Sequence, residues 1–415
     1  MMMIKNKVIF FSLVVISMFF FFSCNVQTPV TGVTVSPSNL TLHVGASGQL
    51  TAIITPSNAS SQLLGLTSSN PSVATVPNTS GPTINVTAIA CGTTTITVTT
   101  LDGGFTATCV VTVTAAPPAG TVATFTVDLL TIKMMYVPGG VTFPTDLNDS
   151  GTATVTDAYW IQETEVTSEL WQRVRIWAEE YGGYIFANDG TQNKLHPASM
   201  ISWRDAMVWT NAITEWYNAR AGTSYTPVYY ADATYTTPIR TSTSNQSFCA
   251  SNTVCTTPGC EDNPFVKPNA TGFRLPTQPE WEFAARWRGN DPTNTVAGYT
   301  NPYFTKGNSA SGATDSYNNA TATQTVAWYD ANSGGSTKEV KLKTPNALGL
   351  YDMSGNVFEW VFDWLDPLNL SYGRTIMGAA YYYPSAAMQI GMSGWGVNPL
   401  CGQAGVGFRL SRSDL

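Results

Sequence analysis

Charge is scarce in this chain: Asp, Glu, Lys and Arg make up 11% of 415 residues, and histidine occurs only at His43 and His196. Two scattered histidines cannot supply a histidine-rich metal triad, and they argue against a zinc centre. The 20 Lys and Arg are outnumbered by 27 Asp and Glu, giving a net charge of −7. No run of Lys or Arg stands out, so the electrostatic footprint of a nucleic-acid binder is missing. Tryptophan is absent before Trp160, and all 12 lie from there onwards. The two halves of the chain therefore have cores of different kinds. Thr, Ser, Asn and Gly are abundant, the composition of an exported, β-rich chain with long polar loops.

The N-terminus carries Lys5 and Lys7 and no acid, followed by an uncharged stretch from Val8 to Ser23. Such a stretch is short for a membrane span and matches a signal peptide over residues 1–23. It ends Phe21-Phe22-Ser23-Cys24, a loose lipobox, so Cys24 is expected to carry lipid, with 24–29 as a tether. An uncleaved anchor, or an ordinary signal peptide with an incidental cysteine, are the other readings of the same residues. All three place the remainder outside the cytoplasm, and the lipobox points to a lipid-anchored protein of the cell envelope, at its outer surface. Six further cysteines remain, Cys91, Cys109, Cys249, Cys255, Cys260 and Cys401. In an exported chain they favour disulfides, whose connectivity the sequence leaves open. Cys249, Cys255 and Cys260 could also form half of a metal site, but their spacing is irregular. The insert that holds them is expected to be a stapled surface loop.

From Val30 the chain alternates Val, Ile and Leu with Thr and Ser in short runs separated by Pro, Gly and Asn. Period-two patterning of this kind predicts the strands of a sandwich. VSPSNLTLHVG, SSNPSVATV and ACGTTTITVTT resemble the bacterial Ig-like domain of the second type over residues 30–115. That resemblance implies an all-β Ig-like sandwich acting as a spacer. Cys91 and Cys109 fall on its last two strands and could be bridged if those strands are neighbours. Residues 116–124, beginning with Ala116-Pro117-Pro118, form a short Pro/Gly linker.

Beyond it, apolar spacing predicts a helix over 166–180, capped by Ser168, with Leu170, Trp171, Val174 and Trp177 on one face. A second helix is expected over 203–217, with Ala206, Trp209, Ile213 and Trp216 inward. The blocks MMYVPGG (134–140), YWIQETEVTSELW (159–171), GFRLPTQPEWEFAAR (272–286), PNALGLYDMSGNVFEW (345–360) and GFRLSR (407–412) resemble the formylglycine-generating enzyme, or sulfatase-modifying factor, family. The resemblance covers residues 125–415 and implies an α+β domain of C-type lectin type. It also implies a structural Ca²⁺ held by the turn containing Asp352, Gly355, Val357 and Glu359, where oxygen ligands suit a hard cation. A second calcium site of the family cannot be placed in the stretch around Asn332.

The family's oxidase chemistry uses two cysteines whose thiolates bind copper(I). They follow a strand that here reads Met377-Gly378-Ala379-Ala380-Tyr381, and their positions fall on Tyr383 and Met388. A phenol and a thioether cannot replace a copper–thiolate pair, so no copper and no oxidase activity are expected. The alternative is an oxidase or accessory factor acting on exported proteins. Residues 374–412 instead resemble the variable region of diversity-generating retroelement variable proteins, often lipoproteins with a lectin-type C-terminus. On that resemblance Tyr382, Tyr383, Ser385, Ala387, Trp395, Val397, Leu400, Cys401, Gln403 and Ala404 face outwards and contact a ligand. Tyr and Trp supply large rigid contacts there, and Ser and Gln supply adaptable hydrogen bonds. The expected partner is a protein or glycan on a cell or host surface, with the membrane reached through the lipid anchor and no nucleic acid involved.

Overall fold

The computed structural model describes residues 27–190, 192–243, 254–392 and 394–414. Cys24 and Cys249 lie outside the described residues. Two β-sheets make the N-terminal domain. One runs in the order Gly32–Ser36, Ser47–Thr55, Thr83–Ala88, Ala74–Thr75. The other runs Asn39–His43, Thr106–Thr114, Gly92–Thr100, Leu64–Ser68, Thr79–Ser80. Strand Ser47–Thr55 alternates exposed and buried residues along its length, which puts Leu50, Ala52 and Ile54 into the core between the sheets. The spacing of apolar residues thus translates directly into a sandwich.

Its cysteines are not bridged: Cys91 is an exposed free thiol and Cys109 a buried one. The strand that follows Cys91 and the strand that contains Cys109 are neighbours, as expected. Their register nevertheless pairs Cys109 with Ile96 and Gly92 with Val113, which places Cys91 at the far end of the hairpin. Register separates the two sulfurs, and Cys109 packs as a small apolar residue in the core.

The second domain begins with strand Val122–Val127, ahead of the expected residue 125. Its first sheet has the order Val122–Val127, Leu130–Val137, Tyr159–Gln162, Ser411–Ser413, so the two ends of the domain are stitched together. A second sheet runs Trp395–Val397, Arg374–Met377, Phe358–Trp364, Val406–Gly407. The longer helices on this frame are α1 (Ser168–Trp177), α2 (Trp203–Ala221) and α3 (Gln278–Arg286). Thr167, rather than Ser168, caps α1 by accepting the Leu170 N–H; Ser168 lies inside and its hydroxyl bonds the Gln192 carbonyl. The helix continues as a π-helical turn over Ala178–Gly182. Ser202 and Asp205 form a reciprocal capping box on α2, which ends at Gly222 in the left-handed region.

Tryptophan fills this core. Trp171 stacks on Trp209 at 5.6 Å, and both meet Phe408 edge-on. The Trp171, Trp203, Trp209 and Trp281 side chains are fully buried, and the Trp171, Trp203 and Trp209 indole N–H groups all donate to main-chain carbonyls. The domains touch where His43 of the sandwich meets the Tyr136 ring edge-on and lies 3.7 Å from Asp414.

Candidate functional site

Residues 374–412 are carried by the second sheet. Strand Trp395–Val397 pairs antiparallel with Arg374–Met377, and Val406–Gly407 pairs parallel with Phe358–Trp364. The Arg374 guanidinium anchors this region between the rings of Trp203 and Trp364, each 3.9 Å away. Its terminal nitrogens donate to the carbonyls of Phe362 and Asp262.

On this frame the sequence-derived residues divide clearly. Tyr382 and Trp395 are exposed, at 44% and 43%. Gln403 and Ala404 are exposed as well, while Tyr383, Ser385, Ala387, Val397 and Leu400 are half-buried. Cys401 is the exception: it is buried and disulfide-bonded. It therefore secures the segment and does not face outwards. The aromatics form one cluster. Tyr382 lies 5.0 Å from Tyr383, and Tyr383 meets Trp395 edge-on at 5.4 Å. The Tyr382 hydroxyl donates to the Ala404 carbonyl, and the Gln403 carbonyl accepts the Met200 N–H. The two ends of the segment thus meet in space, with exposed Met200 beside them.

At the two positions that the family resemblance assigns to its cysteines, the side chains pack against their neighbours. Met388 is 1% exposed, and its carbonyl accepts the Ser354 hydroxyl. Tyr383 packs edge-on against Phe358 at 5.2 Å. A small cavity of about 10 Å³ lies beside Phe358, Ala387 and Trp395.

The turn expected to hold calcium is built differently from the four-residue set. Glu359 is fully engaged: Arg409 Nε and Nη2 donate to its two oxygens at 2.7 Å, and Trp281 Nε1 adds a third bond at 2.8 Å. A carboxylate neutralised in this way is not a free metal ligand, so Asp352, Gly355, Val357 and Glu359 do not fit calcium as a set. Asp352 Oδ2 accepts the Lys341 N–H, while its buried Oδ1 has no partner. Burial pushes the Asp352 carboxyl up to about 6, against the pull of that N–H and of Arg409. Beside them stands Glu165, which the sequence did not single out. It is 0% exposed, and both of its oxygens lack a partner. Burial, then the charges of Asp352 and Glu359, push its carboxyl well above the usual range. Its signal was visible only as an acid directly before the apolar start of α1.

A cavity of about 590 Å³ lies elsewhere, lined by Glu282, Asp363, Trp364 and Arg374 among others. Sequence spacing gave no hint that these carboxylates share a wall. Cys255 and Cys260 are bridged to each other, as expected for a stapled loop. Among the described residues no group of three or more His, Cys, Asp or Glu side chains is gathered for a metal.

Comparison with known proteins bears on this geometry. A family model described as the sulfatase-modifying factor enzyme 1-like domain matches residues 120–414. The bacterial Ig-like domain (group 2) matches residues 29–111, ahead of it as expected. Among solved structures, Treponema denticola variable protein 1 is 26% identical with a TM-score of 0.52, covering 72% of this chain and 100% of that one. Chaperone protein LppX of Paenibacillus barcinonensis is 26% identical over 249 residues, 56% of this chain and 71% of its own length.

Proposed function

The chain belongs to the sulfatase-modifying factor enzyme 1-like family, and from that premise we propose that it is a non-catalytic member, displayed on the cell envelope, that binds a ligand through residues 374–412. The observation that carries this reading is the filled catalytic position: Met388 is buried and Tyr383 is held between Phe358 and Trp395 where the family places its two cysteines. A scaffold that keeps its folding frame and loses only its reactive groups supports binding in place of chemistry.

The likeness to a variable protein supports putting the ligand contacts in this segment. So does the exposure of Tyr382, Trp395, Gln403 and Ala404 around one aromatic cluster. The uncharged face suits a protein or glycan surface better than an ion or a polyanion. Lipidation at Cys24, with the Ig-like domain as the spacer, would hold that face away from the membrane.

The test separates binder from oxidase. The purified chain, supplied with copper(I), oxygen and a cysteine-containing sulfatase peptide, is expected to leave the peptide mass unchanged. A peptide aldehyde formed over several turnovers would overturn the assignment.

A further inference from the structure

We propose that the cavity of about 590 Å³ beside the start of α3 is a second binding site, which takes an arginine side chain of a protein partner. Four stretches of chain wall it. They are the hairpin of Val141–Thr145 and Gly151–Val155, the strand Phe265–Val266, the first turns of α3, and the end of strand Phe358–Trp364. The volume falls in the range of small-ligand pockets, about 300–1,000 Å³. Three acids share the wall, and bonded distances hold them together. The Asp363 carboxylate accepts the main-chain N–H of Gln278 at 2.5 Å, at the first residue of α3. Glu282 lies four residues on, hence on the same helical face. Arg286 Nε donates to Glu282 Oε1 at 2.8 Å and its Nη2 to the Asp146 main-chain carbonyl at 2.8 Å, which ties Asp146 to the same wall.

The guanidiniums already present are spent. Arg286 Nη1 donates to Asp149 and to the Thr305 carbonyl, so that one cation is shared by two carboxylates. Arg374 gives its terminal nitrogens to the carbonyls of Phe362 and Asp262. Fully ionised, Asp146, Asp149, Glu282 and Asp363 outnumber Arg286 and Arg374 by two charges. Glu282 is 7% exposed, and among the described residues only one of its two oxygens has a donor. Burial pushes its carboxyl up to about 7 against the pull of Arg286, and burial raises that of Asp363 as well. A buried carboxylate short of donors is costly, and a cation entering the cavity offsets that cost.

The rest of the lining says what kind of cation fits. Pro264, Pro279, Phe362, Trp364 and Leu365 give the cavity apolar walls, along which an alkyl stem can lie while its charged head reaches the acids. A planar guanidinium suits such a place better than an ammonium, because it stacks on aromatic rings and offers several fixed donors to separate carboxylates. Arg374 already shows this mode, lying 3.9 Å from the rings of Trp203 and Trp364. Entry is from the side of Asp146 and Val266, both exposed. Tyr382, Tyr383 and Trp395 do not line the cavity, so the site stands apart from the aromatic face proposed above.

The test is titration calorimetry on the full chain with three probes: Nα-acetyl-arginine methylamide, the uncharged Nα-acetyl-citrulline methylamide, and agmatine. The arginine probe is expected to bind with a Kd of about 1 mM or tighter, and the citrulline probe at least about 10-fold more weakly. Glu282→Gln and Asp363→Asn keep an oxygen for Arg286 and for the Gln278 N–H and remove only charge. Each should weaken the arginine probe at least about 10-fold. Val266→Lys sets a competing ammonium at a 43% exposed position of the wall and should do the same, which decides the matter even if the buried variants do not fold. Tyr382→Ala/Trp395→Ala should bind the probe as the parent does. No binding of the arginine probe, equal affinity for citrulline, or undiminished binding in folded Glu282→Gln, Asp363→Asn and Val266→Lys would overturn the proposal. Loss of the probe in Tyr382→Ala/Trp395→Ala would overturn it too, by moving the contact to the aromatic face. Tighter binding of agmatine, which lacks the peptide backbone, would overturn a protein as the source of the cation.

Discussion

Arg409→Met is expected to deprive the C-terminal domain of its native packing at 25 °C. Methionine fills much of the arginine's volume but donates nothing. The substitution strands the Glu359 carboxylate, which keeps only the Trp281 N–H, and it strands the carbonyls of Gln162 and Tyr351. Breaking a buried ion pair by removing one partner costs about 3–5 kcal/mol. Each buried acceptor left without a donor adds about 1–3 kcal/mol. Arg409 is also the nearby cation that counters the upward push on the Glu165 and Asp352 carboxyls. Set against a total stability of about 5–15 kcal/mol, this is enough to unfold the domain. Near-UV circular dichroism and denaturant titration would report it; a loss below about 1 kcal/mol would show that the pair is not structural.

Gly355→Ala carries the next largest effect. Gly355 has φ +82°, and an added Cβ would lie 2.2 Å from the Trp328 carbonyl oxygen. That oxygen cannot retreat, because it accepts the Asn356 N–H, while the Gly355 N–H donates to Gly378. The left-handed conformation costs an alanine about 1–2 kcal/mol, and the backbone shift adds a comparable amount. A loss of about 3 kcal/mol is expected, and each kcal/mol lowers Tm by about 2–4 °C in a domain of this size. Gly335→Ala is the control: its φ is +75°, but nothing lies within 4 Å of the new methyl. It should lose only the conformational part. Equal losses at the two glycines would mean that the contact with Trp328 is unimportant.

Both domains were legible because their signals are local. Alternation along residues 47–55 produces a strand with one buried face, and the Trp209, Ile213 and Trp216 spacing produces the inner stripe of α2. The family blocks likewise fall where the structure places the strands and helices of the second domain. What the sequence concealed depends on partners that arrive from far away. Glu359 read as a ligand because its window shows an acid in a glycine turn; Arg409, 50 residues later, is what occupies it. Glu165 was overlooked for the same reason, since its isolation follows from burial and not from spacing. Cys91 and Cys109 looked bridgeable until the register moved them apart. Cys401 looked available until the fold buried it. The open aromatic face was readable as a composition of Tyr, Trp and small polar residues. Its coherence, with Tyr382 reaching Ala404, is a tertiary fact.

The central claim is that this face binds and does not catalyse. The direct measurement is to screen the full chain against arrays of proteins and glycans beside the double variant Tyr382→Ala/Trp395→Ala. Both side chains are more than two-fifths exposed, so the variant should melt within a few degrees of the parent. Aromatic anchors of an interface typically carry about 2–4 kcal/mol each, so binding should fall by at least about 30-fold. Loss of the chain's binding partners in the variant, with the fold intact, is the predicted result. Partners retained at undiminished affinity would contradict the account.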